Sequence, residues 1–197
     1  PTPIPTSIPG GKLGTPSWQN FQISSQTGTF SVEFDVTPNS QGIDALTALS
    51  SSPGSTFDDY AVIVRFNTGG TIDVRNGGTY SSDTQVFYSP GTNYHFKLDV
   101  NIPTHSYSVW VTQGGSTVKL ATNYAFRSTQ STITNISNWG IWAGTGLAQV
   151  CNFKLVSTPT ATPTPTLPGD LDKDGDVDIF DYNILVSNFG KTTCGNV

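Results

Sequence analysis

Six aspartates near the C-terminus have the spacing that most clearly predicts chemistry. They are Asp170, Asp172, Asp174, Asp176, Asp178 and Asp181. Counted from the first, they fill positions 1, 3, 5, 7, 9 and 12 of a loop, and Gly175 stands at position 6. Carboxylates at 1, 3 and 5, a backbone carbonyl at 7 and an acid at 12 surround Ca²⁺ in EF-hand loops, where glycine at 6 makes the turn. The spacing therefore predicts a calcium-binding loop with these aspartates as candidate ligands.

The distribution of charge supports this prediction. Residues 170–197 contain six aspartates and two lysines, and so carry −4 of the net charge of −5. Residues 1–169 contain eight acidic and seven basic residues. Closely spaced carboxylates repel one another unless a cation gathers them. The nearly neutral remainder has no basic cluster, which argues against a nucleic-acid partner.

The segment after the loop predicts a short helix. Residues 179–189 are largely apolar and Gly190 would end the helix, whereas the Pro/Thr-rich segment 158–168 cannot form a helix that enters the loop. A calcium loop with only its exiting helix resembles one dockerin repeat, and dockerins carry two such repeats in tandem. The resemblance implies a secreted bacterial module that attaches its protein to a cohesin-like partner. The corresponding partner-binding candidates are Ile179, Phe180, Ile184 and Phe189.

A helix this short needs an apolar surface against which to pack. That surface could belong to the rest of the same chain, to another copy of the chain or to an outside partner. Of these, we favour the sandwich of the same chain or a neighbouring copy, because the large apolar side chains of the helix would otherwise stay exposed to water.

The elements before this tail are predicted to be β-strands. Apolar and polar residues alternate over residues 30–36 and 94–102, and Gly/Asn-rich turns separate such segments. Strands are predicted near 19–24, 29–37, 42–49, 60–67, 71–76, 79–87, 93–102, 106–112, 117–121, 138–144 and 148–156. We therefore expect an all-β, antiparallel two-sheet sandwich of the jelly-roll type, followed by the EF-hand-like loop and one helix.

The Pro/Thr tracts set the expected domain boundaries. We predict linkers at 1–14 and 158–168, the sandwich at 15–157 and the calcium repeat at 169–197. The chain has no methionine and begins with Pro1, which predicts a processed or excised part of a longer protein. No apolar run approaches the roughly 18 residues of a membrane span, so membrane insertion is not expected.

The sandwich resembles the concanavalin A-like (LamG-like) modules of bacterial polysaccharide-active proteins. The resemblance rests on the segments 59–67 (DYAVIVRFN) and 70–78 (GTIDVRNGG). It implies an extracellular accessory module whose partner is a polysaccharide.

Two tryptophans fall on polar strand phases, where aromatic faces could stack on sugar rings. They belong to a set of ligand-binding candidates expected on one concave face: Trp110, Trp142, Arg65, Arg75, Asp44 and Asp73. The alternative is that the tryptophans pack beneath loops or the tail.

A catalytic role is not expected. Glu33 is the only glutamate, so the Glu-x-Asp-x-x-Glu pattern of laminarinase-like enzymes is absent, and neither His95 nor His105 has neighbours in sequence that suggest a general base. A rival hypothesis is a structural subunit of a filament or surface layer, with the calcium helix docked on a neighbouring sandwich. Cys151 and Cys194 could pair with each other, or Cys151 could be a strand thiol and Cys194 could pair elsewhere.

Overall fold

The computed structural model describes residues 11–156, 169, 171 and 176–189, with only the backbone described for Asn188. The strands in this part of the chain are β1 (Lys12–Leu13), β2 (Gln19–Gln26), β3 (Thr29–Pro38), β4 (Asp44–Ser50), β5 (Val62–Phe66), β6 (Thr71–Asn76), β7 (Thr79–Phe87), β8 (Tyr94–Asn101), β9 (Ser106–Gln113), β10 (Ser116–Ala125), β11 (Ile136–Thr145) and β12 (Ala148–Val156). Short 3-10 turns lie at Phe57–Asp59 and Ser128–Gln130, and the helix α1 spans Ile179–Asn188. The chain forms two compact units, residues 1–158 and 159–197.

The strands form two antiparallel six-stranded sheets. Sheet A has the order β1-β12-β3-β8-β9-β10, and sheet B has the order β2-β11-β4-β5-β6-β7. The predicted all-β, two-sheet antiparallel sandwich is confirmed. Pairing of β1 with β12 begins at Lys12, inside the segment 1–14 that the sequence assigns to a linker. β10 continues past the predicted end at residue 121, because two register shifts interrupt the alternation there.

The main core lies between the sheets and is built by the alternation of the strands. In β3 every second residue from Phe30 to Val36 is buried, and its register places Phe34 opposite Phe96 of β8. The rings of these two residues stack with centroids 5.3 Å apart. Trp139 of β11 is also buried and stacks on Phe153 of β12 at 4.3 Å. Burial of this apolar phase leaves the alternate residues on the outer faces of the sheets.

A second apolar cluster covers the outer face of sheet B, where the alternation predicts polar residues. Its buried members are Leu46, Ala48, Tyr60 and Ile63, and Trp18, Tyr80 and Trp142 pack against them. Tyr60 precedes β5 and is completely buried. A Cβ atom at Gly140 of β11 would lie 2.6 Å from the Tyr60 hydroxyl oxygen. The absence of a side chain at Gly140 therefore lets the Tyr60 ring lie directly on the sheet.

The helix α1 begins with a capping box. The Asp178 carboxylate accepts a hydrogen bond from the Phe180 N–H at 2.7 Å, and the Asp181 carboxylate accepts one from the Asp178 N–H at 2.9 Å. These bonds satisfy N–H groups that a helix start otherwise leaves unpaired. Within the described residues, no helix is long and apolar enough to cross a membrane.

Replacement of Gly140 by alanine should destabilise the sandwich by about 1–3 kcal/mol, because the new methyl group overlaps the Tyr60 ring. Chemical denaturation at pH 7 measures the change in unfolding free energy. Gly28→Ala is the matched control, since no atom lies within 4 Å of a Cβ placed there. Equal stability of the two variants would contradict the assigned packing of Tyr60.

Candidate functional site

Four aromatic side chains form a cluster on the outer face of sheet B. Trp18 stacks on Tyr60 with ring centroids 4.0 Å apart and an interplanar angle of 23°. Phe57 meets Trp142 edge-on at 5.0 Å and Trp18 at 5.7 Å. Trp18, Phe57 and Trp142 line a cleft of about 540 Å³. We call these three residues the aromatic platform.

Partly buried hydrogen bonds hold Tyr60, the residue on which the aromatic platform rests. The Tyr60 hydroxyl donates to the Asn20 side-chain oxygen at 2.7 Å, and burial raises the pKa of Tyr60 to about 12. The Asn20 amide donates to the Gly54 carbonyl at 2.8 Å, and the Gly54 N–H donates back to Asn20 at 3.0 Å. These bonds join β2 to the loop that precedes Tyr60, so the loop is fixed over the sheet.

Asp59 shapes the turn that presents Phe57. Its carboxylate accepts hydrogen bonds from the N–H groups of Ser55 and Thr56, both at 2.8 Å. These two backbone bonds lower the pKa of Asp59. The turn therefore depends on the ionised form of this carboxylate.

A charged cleft adjoins the aromatic platform. It has a volume of about 190 Å³ and is lined by Asp44, Leu46, Phe57, Arg65, Arg75, Tyr80 and Arg127. Strand register places Trp142, Leu46, Arg65 and Asp73 in one row across β11, β4, β5 and β6. The same sheet therefore fixes the position of the charged cleft relative to the aromatic platform.

Paired groups hold the walls of the charged cleft. Arg65 donates two hydrogen bonds to Asp73, at 2.8 and 2.7 Å, and its guanidinium lies 3.7 Å from the Tyr80 ring centroid. Arg127 donates to Asp58 at 2.8 Å. Burial raises the pKa of Asp44, against the opposing effect of Arg65.

The structure brings together five of the six predicted ligand-binding residues. Trp142, Arg65, Arg75, Asp44 and Asp73 all lie on the outer face of sheet B.

Trp110 does not share this face, so the expectation that both tryptophans lie together does not hold. It belongs to β9 of sheet A, between Lys97 and Lys119, whose ammonium groups are 5.2 and 4.9 Å from its ring centroid. Alternation along a strand assigns a residue to one face of its own sheet and cannot tell which sheet that strand joins.

The sequence pattern does not identify five further residues of this face: Trp18, Phe57, Tyr60, Tyr80 and Arg127. Phe57 lies in a 3-10 turn and Arg127 in a loop, where alternation carries no information. Tyr60 and Trp18 precede their strands. Gly140 and Gly144 on either side of Trp142 were an available signal, since glycines that alternate with an aromatic residue leave space above the sheet for large rings.

The histidines and Glu33 lie away from this face. The His95 Nδ1 atom is 2.8 Å from an Asp35 oxygen on sheet A, and Glu33 pairs with Lys154 at 2.7 Å. His105 contacts the Ile133 carbonyl at 2.8 Å. Each of these groups thus already has a partner within the sandwich.

Three of the predicted calcium ligands lie close together in the second unit. Carboxylate oxygens of Asp176, Asp178 and Asp181 are within 4.8 Å of one another, and Asp181 is only 3% exposed. The remaining candidates, Asp170, Asp172 and Asp174, and the turn residue Gly175 lie outside the described residues. The described carboxylates could thus contribute to a cation site from the C-terminal half of the loop.

Apolar side chains of α1 are exposed. Of the partner-binding candidates, Ile179, Phe180 and Phe189 are exposed and Ile184 is half-buried. Among the described residues, Cys151 is a free, half-buried thiol, and Cys194 lies outside them.

Comparison with known proteins supports the fold. No protein-family profile matches the chain. It is 32% identical over 142 residues to a gellan lyase from Bacillus sp., an alignment that covers 68% of this chain but only 6% of that protein.

Among solved structures, a sialidase aligns with a TM-score of 0.54 at 13% identity. The alignment covers all of this chain and 19% of the sialidase chain. Lectin I-B4 from Griffonia simplicifolia aligns with a TM-score of 0.50 at 11% identity, over 77% of this chain and 93% of the lectin. These similarities show a concanavalin A-like jelly roll.

Acidification should release the turn that carries Phe57. The pKa of Asp59 is lower in the folded chain than its ordinary value of 3.8. The stabilisation that the ionised carboxylate gives the turn is therefore fully present above pH 3.8, and it is lost as the pH falls through the lowered folded pKa. The amide proton shifts of Ser55 and Thr56, followed by NMR from pH 7 to pH 2, should change with a common midpoint below 3.8. Asp59→Asn should abolish this transition, and Asp58→Asn should leave it. A midpoint at or above 3.8 would refute the role given to Asp59.

Proposed function

We propose that this chain is a non-catalytic carbohydrate-binding module that binds polysaccharide on the outer face of sheet B. The observation that carries this proposal is the aromatic platform beside the charged cleft. Aromatic faces that stack on sugar rings, next to a few polar groups that bind hydroxyls, are typical of sugar sites. The sugar chain would lie across the strands, with one ring on the platform and the next at the arginines.

Two comparisons support this proposal: the fold shared with a lectin, and the name of one relative. The curated relative is named for action on gellan, and this chain spans 6% of its length. A segment that small fits an accessory module better than a complete lyase. Neither His95 nor Glu33 is among the residues that line the charged cleft or the cleft of the aromatic platform.

We further propose that the second unit binds Ca²⁺ and attaches the secreted protein to a cohesin-like protein or to another copy. Three gathered carboxylates, with Asp181 buried among them, support the cation. Oxygen ligands of this kind suit Ca²⁺, a hard cation. The exposed apolar side chains of α1 support a protein partner, because contiguous apolar surface is characteristic of interaction sites.

Loss of one aromatic ring from the platform should weaken polysaccharide binding. We expect Trp18→Ala and Trp142→Ala each to reduce affinity by about 2- to 13-fold. This range corresponds to a loss of about 0.5–1.5 kcal/mol of binding free energy per stacked ring. Depletion assays with insoluble glucans, xylan and a gellan gel, together with a soluble-glycan array, measure the change.

Trp110→Ala is the matched control, since it removes the same side chain from sheet A and should leave affinity unchanged. Unaltered binding by both platform variants, with melting temperatures near that of the wild type, would show that sugar binds elsewhere. Failure of the wild-type chain to bind any glycan would overturn the proposed function itself.

The second unit should bind Ca²⁺ with a dissociation constant of about 1 mM or tighter, in the range of extracellular calcium modules. Calorimetric titration of the full chain with CaCl₂, and separately with MgCl₂, measures it. Asp181→Asn keeps the shape of the side chain but removes its charge and should weaken binding at least tenfold. Asp83→Asn, in β7 of the sandwich, is the control. Equal affinity of these two variants would exclude Asp181 as a ligand.

A further inference from the structure

All three arginines of the chain converge on the charged cleft. Arg65, Arg75 and Arg127 come from β5, from β6 and from the loop after β10. The nearly neutral sandwich has no other arginine, so this is a local concentration of guanidinium groups. Such groups present planar, forked donors that match a carboxylate.

The three arginines differ in how their donors are satisfied. Arg65 is held by Asp73 through two hydrogen bonds. Arg75 uses its Nε–H on the Gly77 carbonyl at 2.9 Å, and no carboxylate within the described residues pairs with its guanidinium.

Arg127 is also incompletely satisfied. Its Nη1 group is buried and has no hydrogen-bond partner within the described residues, although its other nitrogens reach Asp58. The Arg127 side chain lines the charged cleft, so its positive charge would favour an anion bound there.

We propose that the charged cleft binds the carboxylate of an acidic saccharide residue, such as a uronic acid, through Arg75 and Arg127. This inference rests on the proposed function and adds the class of sugar. Asp44, on the same cleft wall, is placed to accept hydrogen bonds from hydroxyls of that residue. Burial is the larger cause of the lowered pKa of Arg75, and the nearby positive charge of Arg127 lowers it further. A bound anion would relieve the repulsion between the two guanidinium groups.

The size and position of the cleft fit one sugar unit beside the aromatic platform. Its 190 Å³ corresponds to about six water molecules at ~30 Å³ each, the scale of a single ring. Phe57 belongs to the aromatic platform and also lines the charged cleft. An acidic residue at the arginines would therefore adjoin a ring stacked on the platform.

The deciding experiment compares polymers that differ only at the carboxyl group. Polygalacturonate, alginate and hyaluronan are used, each in native form and after reduction of its carboxyl groups to alcohols. Affinity electrophoresis and calorimetry with the full chain at 150 mM NaCl measure binding. The wild type should bind at least one native polymer at least tenfold more tightly than the reduced form of that polymer.

Arg75→Gln should bring this preference below twofold, and Arg75→Lys, which keeps the charge but loses the fork, should leave an intermediate preference. The control Lys119→Gln changes net charge equally on sheet A and should keep the full preference. Melting temperatures establish that the variants are folded, and Arg75→Lys carries the test should Arg75→Gln unfold.

Each other outcome overturns a defined claim. Equal binding of native and reduced polymers, binding of neutral glycans only, or an unchanged preference in both Arg75 variants would overturn the acidic-sugar inference and leave the proposed function intact. Absence of binding to every acidic and neutral glycan would overturn both.

Discussion

Tyr60 is buried on the outer face of sheet B, where a two-sheet sandwich ordinarily meets water, and the candidate site is built around that burial. The ring fits because Gly140 has no side chain beneath it, and its hydroxyl is satisfied by Asn20. Trp18 then stacks on this ring. The loop that carries Tyr60 also carries Phe57. The packing of Tyr60 therefore positions two of the three platform residues, Trp18 and Phe57.

The charged cleft depends on the same sheet through strand register. Arg65 and Asp73 are direct cross-strand neighbours, and Leu46 and Trp142 continue their row. A paired guanidinium held against the Tyr80 ring is a rigid wall, because hydrogen bonds and ring contact both limit its rotation. Arg75 has fewer such restraints within the described residues, which makes it the wall residue most available to a ligand.

The sandwich could be predicted from sequence because alternation determines which side chains a strand buries, as in β3 and β8. The site could be predicted only in part. Alternation correctly placed Arg65, Asp73 and Trp142 on an outer face but could not assign Trp110 to the other sheet. Pairing of strands distant in sequence decides that assignment, and the loops that carry Phe57 and Arg127 have no periodic pattern to read.

In the second unit, helix capping and the proposed cation site share the same carboxylates. One oxygen of Asp181 accepts the Asp178 N–H and the other accepts the Leu171 N–H, so Asp181 joins the two ends of the loop to the start of α1. These backbone donors provide hydrogen bonds to two carboxylate oxygens that burial removes from water. A cation would add to this stabilisation and offset the repulsion between Asp176 and its neighbours. Metal binding and the start of the helix are therefore expected to stabilise each other, because both require Asp178 and Asp181 in the same arrangement.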